Sequence, residues 1–420
     1  MKDKIKNIDK KLFLTTVVLF GFGLIMIFSA SSVTAYFQEV SPSYYFTRQL
    51  VIILISFLVC VIFGMQIKTK NYKGYAWIAL IVITCIVFAT LIYSVAFNGA
   101  KGWIELPVIG TIQPSEFAKP IIIVWIGTML GFSKDKELKN QVRNSLVVLI
   151  VSALIFFMIV LQKDYGTAII FFIICAVMFF TSPVDKIIKK KIGLIGGTAG
   201  AFMIIVLTII ILNVPGFIDS DKLDRFNIKS PCERYLTTGN QICNGYIAIN
   251  NGGLLGKGFG NSTQKYLYLP EAHTDFIYPI IVEETGIVGA TFVLFLYFLL
   301  ICRILSIAKK TTNNANRLIC YGTITYILSH IIINLLGVTG VIPLTGVPLP
   351  FMSYGGSFAA SLIVILTVVQ RINYEENKNN SGSHDGMLFV VVLRFACRMR
   401  KRKDRQWKVS NPDGRKRFFL

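Results

Sequence analysis

Ten apolar stretches run along this chain, most of them about 20 residues long, which is the length one helix needs to cross a hydrocarbon core. They fall near 12–32, 47–65, 74–96, 117–132, 145–161, 166–181, 192–213, 276–302, 317–339 and 355–371, the fourth and sixth being short. In lipid, every backbone N–H and C=O has to be satisfied within the protein, which leaves helix as the option for such single segments. The expected fold class is an all-α polytopic membrane protein of about ten transmembrane helices. A composition of 54% hydrophobic and 15% charged residues over 420 positions agrees with that class and excludes an ordinary soluble domain.

Positive charge sets the expected direction of threading. If the N-terminus is inside, the same compartment holds Lys2 to Lys11, Lys68 to Lys73, Lys134 to Arg143, Lys186 to Lys191, Arg303 to Arg317 and the basic residues from Arg371 onward. These groups contain most of the 43 Lys and Arg residues, and positively charged short loops stay cytoplasmic. Residues 1–11 and 373–420 are therefore expected as cytoplasmic termini around a membrane domain of 12–372. The net charge of +21 is read as a topology signal plus attraction to the anionic inner leaflet, a better account than nucleic-acid binding. Leu12 to Ser29 continues as a full span without a small-residue cleavage site, so no cleavable signal peptide is read. The polar segment after Arg371 and the short apolar run MLFVVVLRF receive no catalytic role.

The outward segments are then 33–46, 97–116, 162–165, the large extracellular loop 214–275, and a hairpin near 340–354. The large loop ends in YLYLPEAHTDF, which places Glu271, His273 and Asp275 just before the eighth apolar stretch. Asp275 is the last acidic residue before what reads as a continuous hydrophobic helix. Two roles suit it: a general base at the membrane surface taking a proton from an incoming hydroxyl, or, with Thr274, an N-cap for the helix that follows. His273 has no second His or Cys at metal-ligand spacing, which favours a structural role, and any metal ligand set is unknown. Glu116 and Lys119, three residues apart at the start of the fourth span, lie on one helical face. They read either as an ion pair that lowers the cost of charge near lipid or as the polar wall of a substrate cavity. Asp164 in LQKDYGT reads as a turn or cap residue.

Other segments are constrained by what membrane depth tolerates. Glu283 and Glu284 fall about two turns inside the eighth span, so at least one must find a cation or a proton. The glycine-rich run from Asn250 to Asn261 favours plain turns over a phosphate-cradling loop, because no strand precedes it and the Walker spacing is absent. Pro343, Pro348, Pro350 and the glycines around them imply irregular backbone that is buried or lines a cavity. His330 and Asn334 share a helix face and suit interhelical hydrogen bonds. Of eight cysteines, only Cys232 and Cys243 lie in an outward loop, where oxidation is permitted. A Thr-Gly-Asn turn between them predicts a disulfide, free thiols being the alternative.

Four motifs taken together carry a resemblance. QPSEFAK (113–119), the LQ-D-GT pattern (161–167), GNSTQKYLYLPEAHTDFI (260–277) and GVIPLTGVPLPFMSYGGS (340–357) closely resemble the shape, elongation, division and sporulation (SEDS) proteins FtsW, RodA and SpoVE, in family order. The resemblance covers about residues 12–372, and its wording is nearer the division and sporulation branch. It implies a peptidoglycan glycosyltransferase that polymerises lipid II at the outer face of the bacterial cytoplasmic membrane. It implies a class B penicillin-binding protein and other divisome or elongasome membrane proteins as partners. It makes Asp275 the expected general base and gives Glu116, Lys119 and Asp164 cavity roles. Lys101, Lys119, Arg225 or a divalent cation (Mg or Mn) are the options for offsetting pyrophosphate charge; no cofactor is required by the residues themselves. Gly102 and Lys163 depart from the family, which often has a basic residue and a proline there. The rival activities are a lipid II flippase and a nonenzymatic scaffold.

Overall fold

The computed structural model describes residues 8–97, 100–106, 110–133, 137–194, 196–197, 230–234 and 239–378. Its helices are α1 (Lys10–Phe37), α2 (Tyr44–Ile62), α3 (Tyr72–Tyr93), α4 (Pro114–Leu130), α5 (Leu138–Leu161), α6 (Tyr165–Thr181), α7 (186–194), α8 (Asn240–Gly252), α9 (Ile277–Lys310), α10 (Asn314–Val338) and α11 (Gly356–Lys378). Among the described residues, seven helices are long and apolar enough to cross a membrane: α1, α2, α3, α5, α9, α10 and α11. The expected fourth and sixth spans appear as the 17-residue helices α4 and α6. Most of the expected seventh span, 192–213, lies outside the described residues, as do Arg225 and 379–420. Contacts divide the chain into Met1–Asn373 and Tyr374–Leu420.

Local chemistry explains the helix starts. Asp9 caps α1 by accepting from Leu12 N at 2.9 Å, and Asn313 caps α10 by accepting from Ala315 N at 2.8 Å. Pro114 opens α4 at a position where its missing N–H costs nothing. Lys309 and Lys310 close α9, where cations favour the carbonyl end of the helix dipole.

Burial sorts the helices into an inner and an outer set. The apolar windows of α10 and α11 are 67% and 72% buried, against 17% and 28% for the spans containing α2 and α3. Helices α10 and α11 are therefore central, and α2 and α3 expose apolar faces suited to lipid. Helix α4 is also interior, and small residues bring it close to α10. A Cβ at Gly131 would lie 2.3 Å from Ala315 Cα, and one at Gly127 would lie 2.4 Å from Ile319 Cγ1. Such small-xxx-small contacts let backbones approach without a cavity. Because the pairs 131 with 315 and 127 with 319 run antiparallel, the register carries Lys119 to Tyr326 and His330.

Three features differ from the sequence reading. The segment 97–116, expected outside, carries secondary structure: β1 (Val95–Phe97), β2 (Ala100–Leu106) and β3 (Gly110–Ile112) form a three-stranded antiparallel sheet. The loop 214–275 contains α8. The eighth span is not continuous: Gly286 interrupts α9 with φ 69° and ψ −176°. The part of α9 after the break, running to Lys310, is about 36 Å long, enough to cross the ~30 Å hydrocarbon thickness.

The break is made good by the glycine-rich loop after α8. Lys257 N and Gly258 N donate to the carbonyls of Glu283 and Glu284 at 2.9 Å each, while Ile287 N and Val288 N donate to Gly253 and Leu254 carbonyls at 3.0 and 3.2 Å. A Cβ at Gly286 would lie 2.2 Å from Leu254 O, so only glycine fits this clasp. A broken helix is tolerated at membrane depth when neighbouring chain satisfies the freed groups.

Candidate active site

The Asp275 carboxylate is not spent on a helix cap. Helix α9 begins after Phe276 with no side-chain cap hydrogen bond, which removes the N-cap reading of both Asp275 and Thr274. Thr274 Oγ1 instead bonds the Glu271 carboxylate at 2.7 Å and lies 3.2 Å from Asp275 Oδ1. Asp275 is half-buried and lines a small crevice with Asn334, Thr345, Gly346 and Val347. A Cβ at Gly346 (φ 64°) would lie 3.9 Å from Asp275 Oδ2, so the proline- and glycine-rich hairpin forms one wall.

Behind this crevice lies a buried polar chain. Lys119 Nζ donates to Glu116 Oε1 at 2.7 Å, with side-chain exposures of 0% and 3%. The same ammonium lies 3.1 Å from His330 Nε2, and His330 Nδ1 lies 3.2 Å from the Pro348 carbonyl. The Tyr326 and Phe358 rings face the ammonium at 5.5 and 5.9 Å, supplying cation–π contact where water is excluded. One turn further along α10, Asn334 Nδ2 donates to the carbonyls of Asp275 and Val347 at 2.7 and 2.8 Å. The interhelical role expected for His330 and Asn334 thus links the ion pair to the hairpin, and the hairpin to Asp275.

Asp164 joins from another side. Its Oδ1 accepts from Thr167 N at 3.1 Å, the expected cap of α6, while Oδ2 accepts from Gln113 Nε2 at 2.6 Å. Gln113 N in turn donates to Ser357 Oγ at 3.0 Å. A Cβ at Gly166 would lie 2.6 Å from Thr345 O, so the start of α6 packs on the hairpin that walls the crevice. One carboxylate therefore both caps α6 and holds Gln113. The contact with Gln113 had no sequence signal beyond the polar run before Pro114.

Lys101 is exposed on β2, whose backbone N at that residue donates to Gln162 O at 2.7 Å. A Cβ at Gly102 would lie 3.2 Å from Gln162 Oε1, so a larger residue there requires Gln162 to shift. Lys163 adopts φ 62°, which a proline cannot, and the turn before α6 is shaped accordingly. His273 packs its ring against Tyr45 and Tyr354 at 4.7 and 5.7 Å between centroids. Burial pushes its imidazole below the usual range despite the opposing charge of Glu271. Its position is that of a packing residue beside the crevice. Among the described residues, no group of three or more His, Cys, Asp or Glu is placed to hold a metal ion.

Glu283 and Glu284 both find cations. Lys257 Nζ reaches Glu283 at 2.8 Å and Lys265 Nζ reaches Glu284 at 3.1 Å. Ser262 Oγ, Thr263 Oγ1 and the Thr263 and Gln264 amides also donate to Glu283, and Ser29 Oγ donates to Glu284. The Glu283 carboxylate is thus held by Lys257 of the glycine-rich run and by Ser262 to Gln264 just after it, while the run's amides at 257 and 258 bond helix carbonyls. The signal for this was present in the two lysines of GKGFGNSTQK. The predicted disulfide is formed: Cys232 and Cys243 are bonded, tying the short helix Pro231–Arg234 to α8.

Comparison with known proteins agrees with this architecture. The profile of the FtsW, RodA and SpoVE family, described as "Cell cycle protein", matches residues 10–378. The chain is 31% identical over 385 residues to the "Probable peptidoglycan glycosyltransferase FtsW" of Bacillus subtilis, covering 90% of this chain and 94% of that one. It is 30% identical over 377 residues to "Stage V sporulation protein E" of the same organism, with 89% and 99% covered. A solved chain from "Structural coordination of polymerization and crosslinking by a peptidoglycan synthase complex" superposes with a TM-score of 0.69 at 21% identity, covering 88% of this chain and 98% of that chain, and shares the fold. With a family profile spanning nearly the whole membrane domain, this multi-pass membrane protein belongs to the FtsW, RodA and SpoVE family.

Proposed function

We propose that this chain is a peptidoglycan glycosyltransferase that polymerises lipid II at the outer face of the bacterial cytoplasmic membrane, with Asp275 as general base. The observation that carries the reading is the half-buried Asp275 carboxylate at a crevice it shares with Asn334 and Gly346. Asp275 takes the proton of the acceptor's 4-hydroxyl as that oxygen attacks the anomeric carbon of the donor, and the pyrophosphate departs with the prenyl chain. Lys119 is fully buried and engaged by Glu116 and His330, so it sets the potential of the wall from behind. Lys101, exposed on β2, is the more available cation for the pyrophosphate; Arg225 and a divalent cation are further options.

Placement on the outer face rests on the distribution of Lys and Arg, which favours cytoplasmic termini. A class B penicillin-binding protein is the proposed partner, supported by the relative solved within a peptidoglycan synthase complex. Other divisome or elongasome membrane proteins follow from the same kinship.

The test is purified protein in lipid II liposomes, with and without the partner, read by gel analysis of glycan chains and by transbilayer movement of fluorescent lipid II. Polymer formation is expected. Movement without polymer would establish the flippase instead. Neither activity, with the partner still captured, would leave a scaffold.

A further inference from the structure

Asn334 has one end fully committed and the other without a protein partner. Both hydrogens of Nδ2 are accounted for by the Asp275 and Val347 carbonyls at 2.7 and 2.8 Å. Two carbonyls at that end settle the orientation of the amide, since a flip would set oxygen against oxygen. Oδ1 therefore points away from them. Among the described residues it is buried without a hydrogen-bond partner, on a residue only 3% exposed. Asn334 lines the same crevice as Asp275 and Gly346. A buried acceptor held this rigidly is unfavourable until a donor reaches it.

Resting on the reading of Asp275 as the base, we propose that Asn334 is a substrate-contacting residue of the acceptor subsite. Its Oδ1 receives a hydroxyl of the acceptor sugar adjacent to the reacting one, the C3 or C6 hydroxyl of the terminal N-acetylglucosamine. The 4-hydroxyl then faces Asp275. The Nδ2 bonds serve this contact by aiming Oδ1 and by fixing the carbonyl of Asp275, so that base and second acceptor keep one spacing. A sugar offers hydroxyl donors on either side of the reacting one, and two acceptors on one wall match that pattern. A site built to hydrogen-bond a hydroxyl rejects the analogue lacking it, because its own group is left unpaired.

The experiment measures binding of lipid II and of its 3-deoxy and 6-deoxy acceptor analogues to folded protein in nanodiscs. Asp275→Asn is the background, which prevents turnover. Relative to that background, adding Asn334→Leu should weaken native lipid II about tenfold, the loss of one buried hydrogen bond to ligand. One deoxy analogue should bind the Asn334-containing protein about tenfold more weakly than native lipid II does, and the Leu variant should not distinguish the two. The ratio between native and deoxy lipid II is also read on the Asn334-containing background alone, which secures the result if the Leu variant fails to fold. Equal discrimination by the Leu variant and its background would overturn the proposal, as would no discrimination against either deoxy analogue by the Asn334-containing background. If Asp275→Asn polymerises normally the base assignment fails, while these binding ratios still judge Asn334.

Discussion

Replacing Lys119 by Met tests whether the buried pair of α4 is a structural unit. Lys119 Nζ meets Glu116 Oε1 at 2.7 Å and His330 Nε2 at 3.1 Å, with no solvent exposure. Glu116 Oε2 already has no hydrogen-bond partner, so losing Lys119 leaves a buried carboxylate with neither oxygen paired. Breaking a buried pair from one side costs about 3–5 kcal/mol, chiefly through the stranded charge. Glu116→Gln is expected to be milder, because the amide keeps an oxygen for the ammonium and Lys119 retains His330 and two ring faces. The double variant Glu116→Gln, Lys119→Met removes both charges and should recover at least ~1 kcal/mol of what Lys119→Met loses. The assay is thermal unfolding of detergent-solubilised protein at one fixed scan rate. Lys119→Met should lower Tm by roughly 5–10 °C, and the double variant by clearly less. Strictly additive losses would refute the pairing argument, and unchanged Tm in all three variants would refute the burial cost as well.

Three further outcomes follow from the geometry. Gly286→Ala places a Cβ 2.2 Å from Leu254 O at φ 69°, so hydrogen exchange of the Lys257 and Gly258 amides should accelerate; unchanged exchange would contradict the clasp. Burial opposes the charge of Asp9, but hydrogen bonds from Arg303 and Leu12 N outweigh it and hold the carboxyl below its usual value of 3.8. Its contribution is therefore full above the unfolded pKa and lost as pH falls through the folded one, so wild-type Tm should drop more steeply than that of Asp9→Asn between about pH 5 and 3. Alkylation of unreduced protein should leave Cys232 and Cys243 unmodified, and their reduction should loosen the start of α8 by roughly 3 kcal/mol in the chain-entropy estimate; labelling of both without reductant would disprove the bridge.

Much of the bundle was legible in the chain because apolar length and the positions of Pro114, Asp164 and the cysteines act locally. Asp164 could be read as a cap because capping needs only the next three residues. What escaped the sequence was long-range satisfaction of backbone. The break at Gly286 is invisible to hydropathy, since Ile287 and Val288 continue the apolar run, and the chain that repairs it lies thirty residues earlier. Asp275 shows the same limit, because a cap and a base share one local pattern, and the start of α9 after Phe276 bears on the cap alone. The small sheet at 95–112 went unread because its strands are short, two of them only 3 residues long.

The central claim, that Asp275 is the base, is tested most directly by Asp275→Asn in a lipid II polymerisation assay with the partner present. The substitution keeps size and polarity and removes basicity. Glycan synthesis is expected to fall by at least about 100-fold with Tm and partner capture unchanged. Near-normal glycan chains from a folded Asp275→Asn protein would contradict the account.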